Sequence, residues 1–398
     1  MAHANSLFAA CGTTIFETMS RLANTHGAVN LGQGFPEGLE PAALVERLAQ
    51  ADRAGPHQYP SMMGTPSLRQ AVADHETRAW GLATRPEQVM VTSGATEALA
   101  ACFFGLIEPG DEVVLIEPLY DSYLPIIRRA GGTPKLVRVE PPHWTLPREQ
   151  LTAAFGPRTR LLVLNSPTNP CGKVYDADEL AFIADLLDRH DCLAVCDEVY
   201  EHLTFDGRRH IPLASLPGMR ARAVKIGSAG KIFSLTGWKV GWVVAETEVL
   251  APIAKAHQFL TFTTPPSLQE AVAWGLEQQR DYLDGLAGVL QGRRDRLAAG
   301  LTAAGFRVLP TGGSYFLTAD FAPLGFTGSD ADFCRMITEK AGVAAIPVSA
   351  FYQGGAPAHY ARFCFAKTDD AIDRAIERLQ VLWLARPTKE ALDGRGPL

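Results

Sequence analysis

The chain predicts an α/β fold, with a large domain built on a mainly parallel seven-stranded sheet flanked by helices and a smaller α+β domain beside it. Three observations lead there. Seven short apolar runs alternate with segments of helical period: Gln88 to Thr92, Glu112 to Ile116, Leu136 to Val139, Leu161 to Leu164, Leu193 to Cys196, Ala223 to Ile226 and Val240 to Val244. Such largely apolar runs, alternating with helices, suit a largely parallel, buried sheet wrapped by helices. Beyond about residue 305 the pattern changes, and short strands stand beside two helical stretches. Finally, 398 residues with 47% hydrophobic and 20% charged content supply ample core for one large domain and one smaller one.

The elements follow in order. Met1 to Ala10 lacks the positive start and long apolar core of a secretory signal. Thr65-Pro66 opens a helix as N-cap and first-turn proline, and Gly81 is its expected stop. Pro265 to about Gly305 reads as one long helical stretch, broken if anywhere near Gly285 or Gly288. After it come expected strands at Arg307 to Leu309, Gly313 to Thr318, Val343 to Ile346 and Arg362 to Ala366, with helices over 329–341 and 369–385. Arg386 to Leu398 has scattered proline and glycine with no apolar period, the pattern of a loose tail.

The residues that carry chemistry converge on Lys231, in Ser228-Ala229-Gly230-Lys231-Ile232-Phe233-Ser234-Leu235-Thr236-Gly237-Trp238-Lys239. A lysine amine can condense with an aldehyde, and pyridoxal phosphate enzymes use that Schiff base to hold their cofactor. Such a cofactor makes three further demands. An acid must keep its pyridine nitrogen protonated, and Asp197 ends the apolar run Cys192 to Cys196, at the strand edge where ligands of open α/β sheets bind. Asp197 could equally cap the next segment. Tyr200, three residues on, could donate to the ring's phenolic oxygen or simply pack.

That oxygen needs an orienting donor as well, for which Asn169 in Asn165-Ser166-Pro167-Thr168-Asn169-Pro170-Cys171-Gly172 is the candidate, although Asn-Pro is also a common turn signal. The third demand is a phosphate cradle. Val91-Thr92-Ser93-Gly94-Ala95-Thr96-Glu97 reads as strand, small-residue turn and helix start, so Gly94, Ala95 and Thr96 would aim backbone N–H groups at an anion. Ser228 and Lys239 could complete it with a hydroxyl and a point charge.

Taken in order, the glycine turn, Tyr120, Asn169, Asp197, Tyr200, Ser228, Lys231 and Lys239 make the chain resemble the fold-type I pyridoxal phosphate aminotransferases of class I/II. Within them it is most similar to the methionine aminotransferases and the kynurenine or glutamine aminotransferases. The similarity runs from Gly12-Thr13-Thr14-Ile15-Phe16 and Asn30-Leu31-Gly32-Gln33-Gly34-Phe35-Pro36 to Arg362-Phe363-Cys364-Phe365-Ala366-Lys367. The resemblance implies pyridoxal 5'-phosphate as cofactor, with Lys231 holding it and then moving the substrate's α-proton. It implies that Asp197 pairs with the pyridinium, Asn169 and Tyr200 bond the phenolic oxygen and Tyr120 stacks on the ring. Arg362 would grip the substrate α-carboxylate, with the backbone of Gly34 close by.

Tyr59, in Gln58-Tyr59-Pro60, resembles the tyrosine that reaches the phosphate of the neighbouring subunit, and Phe262 and Thr263 would come from that partner too. A homodimer with shared sites is therefore implied. Without the resemblance, Tyr120 is an ordinary core aromatic, Arg362 a solvated strand residue and Phe262 part of a plain loop. The implied division is 1–44 for an N-terminal arm that joins the small domain, 45–288 for the large cofactor-binding domain and 289–398 for the small domain.

Departures bear on the substrate. No arginine lies in the Phe262 to Pro266 loop, where dicarboxylate-specific members place one, so a distal carboxylate lacks a partner and aspartate is disfavoured. An apolar or thioether side chain suits Phe16, Phe35, Tyr59 and Phe262 better. Thr263 and Thr96 stand where kynurenine-type enzymes often carry histidine and tyrosine, which tilts the expectation toward a methionine-like donor. Alternatives are a cysteine-S-conjugate β-lyase or kynurenine–oxoglutarate transaminase, and an N-succinyldiaminopimelate aminotransferase. A net charge of −6 without a basic stripe disfavours nucleic acid, and nothing reaches transmembrane length without charges. Seven scattered cysteines show no metal spacing and read as free thiols in a reducing cytoplasm, and ten histidines form no ligand pair, so no metal is expected.

Overall fold

The computed structural model describes residues 4–384, and the tail expected from Arg386 to Leu398 lies outside them. Near the N-terminus, Thr14 accepts a hydrogen bond from the Glu17 N–H at 3.2 Å and starts helix Ile15–Thr25, which leads to a short strand β1 (Val29–Asn30). Helix Pro66–Trp80 forms as its ends dictate. Thr65 accepts from the Leu68 N–H at 3.3 Å, Pro66 fills the first turn, and Gly81, at φ +69°, closes it in the left-handed conformation.

Seven strands then build the main sheet: β2 (Val89–Thr92), β3 (Glu112–Glu117), β4 (Thr133–Arg138), β5 (Thr159–Asn165), β6 (Leu193–Asp197), β7 (Ala223–Ser228) and β8 (Gly241–Val244). Their order is β2-β8-β7-β6-β5-β3-β4, and only β8 runs antiparallel to its neighbours. The expected α/β class and mainly parallel sheet are therefore present. β2, β3, β7 and β8 are buried along their whole length, in keeping with their largely apolar sequences, and the buried charge within β7, Lys225, is paired with Glu76 and Glu201. β4 is the exception. It pairs with β3 from Thr133 onward, earlier than the apolar run that begins at Leu136, because an edge strand tolerates Pro134 and polar residues that a central strand would not.

Helix Ala95–Leu106 lies against helix Thr247–Leu260, and the approach is close enough that a Cβ on Gly105 would come within 2.8 Å of Ile253 Cα. The long helical stretch after Pro265 is two helices, Pro266–Gln278 and Arg280–Ala303, and the break falls at Gln279 (φ −103°, ψ 39°) rather than near Gly285 or Gly288. Both of those glycines sit in the second helix facing open space, so it runs straight through them and through the boundary expected at 288/289. Packing sets the break instead: Leu276 before it and Leu283 after it are both buried in the cluster with Val89 and Trp242.

Strands β9 (Arg307–Val308), β10 (Phe316–Asp320), β12 (Ile346–Pro347) and β13 (Tyr360–Cys364) form an antiparallel sheet in the order β12-β13-β10-β9. The run expected as one strand from Val343 to Ile346 is split at Ala345. Its first half, β11 (Val343–Ala344), pairs in parallel with β1, placing Val29 opposite Val343, while its second half joins β13. Helix Asp330–Lys340 begins at a capping box in which Ser329 accepts from the Asp332 N–H at 3.1 Å.

Candidate active site

A cavity of about 410 Å³ opens where the carboxyl ends of β5, β6 and β7 meet the turn after β2, the position at which open α/β sheets bind ligands. Its walls include Phe16, Gly34, Phe35, Gly94, Ala95, Thr96, Tyr120, Asn169, Asp197, Tyr200, Ser228, Lys231, Lys239 and Arg362. Fourteen positions singled out across the whole chain thus line one hollow. Tyr59, 83% exposed, Phe262, 40% exposed, and Thr263 lie outside it, the first two packing edge to face 5.6 Å apart.

Each wall residue is placed by the element that precedes it. Gly94 caps the twelve-residue helix Ala95–Leu106 at φ +79°, leaving the first-turn N–H groups of that helix at the cavity wall. Lys239 reaches the same corner: its Nζ would lie 3.5 Å from a Cβ on Gly94. Asp197 ends β6, and its Oδ2 accepts from Tyr123 Oη at 2.6 Å while Oδ1 is buried with no partner. Burial raises its pKa, opposed by the Tyr123 hydrogen bond. Asn165, at the end of β5, donates to the Asp197 carbonyl (2.8 Å) and accepts from the Asn169 N–H (2.8 Å), which fixes the Asn169 loop against β6.

Lys231 lies in the turn of helix that follows β7, half-buried at the cavity wall, and desolvation there pulls its amine down to about 8, with Asp197 opposing. Its Nζ donates to Tyr315 Oη at 2.9 Å. Arg362, on β13, is 1% exposed. Its Nη1 donates to Asn169 Oδ1 at 2.9 Å and its Nη2 to the Gly32 carbonyl, while Nε is buried without a partner. Aromatic rings surround the guanidinium, with Phe316 at 3.9 Å and Phe16 at 5.1 Å, and burial lowers its pKa to about 10. Gly34 requires a glycine for a reason not anticipated: a Cβ there would fall 2.5 Å from Phe316 Cζ, so a neighbouring ring fills that space.

Tyr123, Asn165, Tyr315 and Phe316 escaped the sequence reading, although Asn165 heads the octet that contains Asn169. Outside the cavity the fold also gathers His75, Glu201 and His202, and Glu198, Glu201 and His210, groups that no sequence spacing announces. Lys225 Nζ donates to Glu76 at 2.6 Å and to Glu201, supplying the positive charge there. Burial pushes both carboxyls up, with Lys225 opposing, and pushes His75 and His202 down to neutrality. His75 Nδ1 and His210 Nδ1 lack the hydrogen bond that a metal-bound histidine usually makes, so the cluster reads as an ion-pair network.

The cavity offers what pyridoxal phosphate needs: an amine, an unpartnered buried carboxylate oxygen and a helix N-terminus beside a lysine. The model of the family described as aminotransferase class I and II matches residues 26–379. The chain belongs to the class I and II aminotransferases. It is thus a pyridoxal phosphate-dependent aminotransferase acting on an amino acid and a 2-oxo acid. A probable N-succinyldiaminopimelate aminotransferase of Mycobacterium tuberculosis is 46% identical over 382 residues, 93% of this chain and 96% of the relative. The methionine aminotransferase of Escherichia coli is 39% identical over 372 residues, again 93% and 96% of the two chains. The solved structure of the N-succinyldiaminopimelate aminotransferase from Mycobacterium tuberculosis superposes with a TM-score of 0.93 at 45% identity, covering 96% of this chain and all of that one.

Proposed function

We propose that this aminotransferase prefers an L-amino acid with a thioether, apolar or aromatic side chain, and passes its amino group to a 2-oxo acid in two half-reactions. One observation carries the preference. Among the described residues lining the cavity, the cationic side chains are Lys231, Lys239 and Arg362, and all three have tasks at the cofactor or at the α-carboxylate, while Phe16, Phe35, Tyr120 and Phe316 give the wall an aromatic part. A second carboxylate on the substrate would meet no charge there.

In this reading Gly94, Ala95, Thr96, Ser228 and Lys239 would hold the phosphate, Asp197, whose Oδ1 is buried without a partner, would pair with the ring nitrogen, and Asn169 and Tyr200 would address the phenolic oxygen. Tyr120, on the cavity wall, would stack on the ring. When bound, the cofactor supplies the electron-withdrawing ring that stabilises charge at the substrate α-carbon, and it carries the amino group between substrates. Lys231 holds it at rest and, once displaced, removes the α-proton. Arg362, steered by Asn169 and the Gly32 carbonyl, grips the α-carboxylate beside Gly34 and Phe16. Tyr59 and Phe262, exposed in the single protomer, would complete the site of a partner in a cytoplasmic homodimer.

The 46% identity to the N-succinyldiaminopimelate relative supports a second reading. That substrate carries further carboxylates and needs another cation at the rim. Lys367 sits 3.8 Å from the Phe35 ring centroid, but it is tied to Glu37 at 2.6 Å. Steady-state kcat/KM for methionine, phenylalanine, kynurenine and N-succinyldiaminopimelate decides between them. A value for methionine or phenylalanine at least tenfold above the succinylated diamino acid is expected, and the reverse order would sink the preference.

A further inference from the structure

Lys231 Nζ donates to Tyr315 Oη at 2.9 Å, and Tyr315 Oη in turn donates to the Gly34 carbonyl at 2.8 Å. The direction of this chain is set by its end. A backbone carbonyl only accepts, so the single tyrosine proton is committed to Gly34 and the phenolic oxygen is left to accept from the lysine. An amine that gives one N–H to Tyr315 keeps its lone pair turned away from it. Tyr315 has little freedom to move: it is fully buried, edge-on to Tyr200 at 5.1 Å and to Phe316 at 4.7 Å. It stands immediately before β10, while Lys231 follows β7 and Gly34 belongs to the N-terminal segment, so one hydroxyl joins three parts of the chain around the cavity.

We propose that Tyr315 is the positioning residue of Lys231: its hydroxyl holds the displaced amine by one N–H, so that the lone pair faces the substrate α-carbon. The inference rests on the reading of Lys231 as the group that moves the α-proton. In that step the Cα–H bond breaks, an N–H bond forms on Lys231, and the C–H electron pair stays with the carbon and is drawn toward the cofactor ring. Tyr315 neither gains nor loses a proton. Its contribution is orientation, the kind of placement whose loss costs on the order of a hundredfold in rate.

The test is Tyr315→Phe, which keeps the ring and removes the oxygen. In the holoenzyme the single-turnover rate with methionine is expected to fall about tenfold to a hundredfold. The α-deuterium isotope effect should rise as proton transfer becomes slow, with KM and cofactor stoichiometry unchanged. In the cofactor-free protein, acylation of Lys231 should titrate at lower pH than in the wild type, because an acceptor for the ammonium is gone. Asp197, Lys239, Arg362, Tyr200 and Cys364, the other titratable groups around the amine, are unaltered in the variant. An unchanged rate and isotope effect would overturn the proposal. So would a slower enzyme with raised KM, lost cofactor and an unchanged isotope effect, since that pattern marks a packing role alone. Lys231→Ala with an added small amine separates the two layers. Undiminished turnover without any amine would sink the proton-moving role of Lys231 itself, whereas amine-dependent turnover beside a silent Tyr315→Phe would sink Tyr315 only.

Discussion

Asp197 keeps one oxygen bonded to Tyr123 and the other free, and that asymmetry is what a protonated ring nitrogen would use. Asp197→Ala is expected to lower kcat by about a hundredfold to a thousandfold, by analogy with the loss of one preorganised electrostatic partner. Near-normal kinetics would refute the role. Lys231 makes a pH prediction. Attack on an aldehyde needs the neutral amine, and burial has pulled that amine down to about 8, so cofactor uptake by the cofactor-free protein should speed up as pH rises through about 8 and then level off. A rate still climbing toward pH 10 would mean the amine is not desolvated. For Arg362, replacement by Lys removes the fork while keeping charge, and KM should rise for every amino acid tried, by about tenfold or more. A rise confined to one substrate would make it a side-chain reader. Lys231, Asp197 and Asn169 were legible in the sequence because each sits at or beside a strand end in a recognisable local context, whereas Arg362, in the middle of β13, was reached only through the family resemblance. Tyr123 and Tyr315 were not, because their meaning lies in partners 74 and 84 residues away, and an aromatic in an apolar run looks like core.

Glycines separate the elements by what a methyl group would meet. At Gly105 a Cβ meets the backbone of Ile253 at 2.8 Å, which cannot step aside, so Gly105→Ala should destabilise by about 1–3 kcal/mol despite alanine's better helix propensity. Gly285 lies inside helix Arg280–Ala303 with nothing within 4 Å, so Gly285→Ala should stabilise by up to about 1 kcal/mol. Urea unfolding midpoints check both signs, and equal shifts would mean the helix contact is slack. The central strands of the main sheet were legible because they are buried and their runs are mostly apolar. β4 was legible only in part, since an edge strand keeps polar residues, and the break at Gln279 left no mark because packing rather than glycine or proline makes it.

At the scale of the whole molecule, one protomer leaves Tyr59, Phe259, Leu260 and Phe262 exposed, and the two of these that the family resemblance assigns to a site stay outside its own cavity. If they complete a partner's site, Tyr59→Ala and Lys231→Ala proteins should each be weak alone and regain activity when mixed. Random subunit exchange would restore roughly a quarter of wild-type sites, since half the dimers are hybrid and each hybrid has one intact site. No recovery under conditions of proven exchange would show that each site is built within one chain. The resemblance placed the N-terminal segment beside the small domain, but the parallel pairing of β1 with β11, across more than three hundred residues, was not legible, because a two-residue strand carries no periodic signal. Every scale returns to one amine, and the direct measurement is borohydride reduction of the holoenzyme followed by peptide mass mapping. The expected result is a pyridoxyl group on Lys231, with none on Lys231→Ala protein. A label on Lys239 or on any other lysine would contradict the assignment from which the whole site is built.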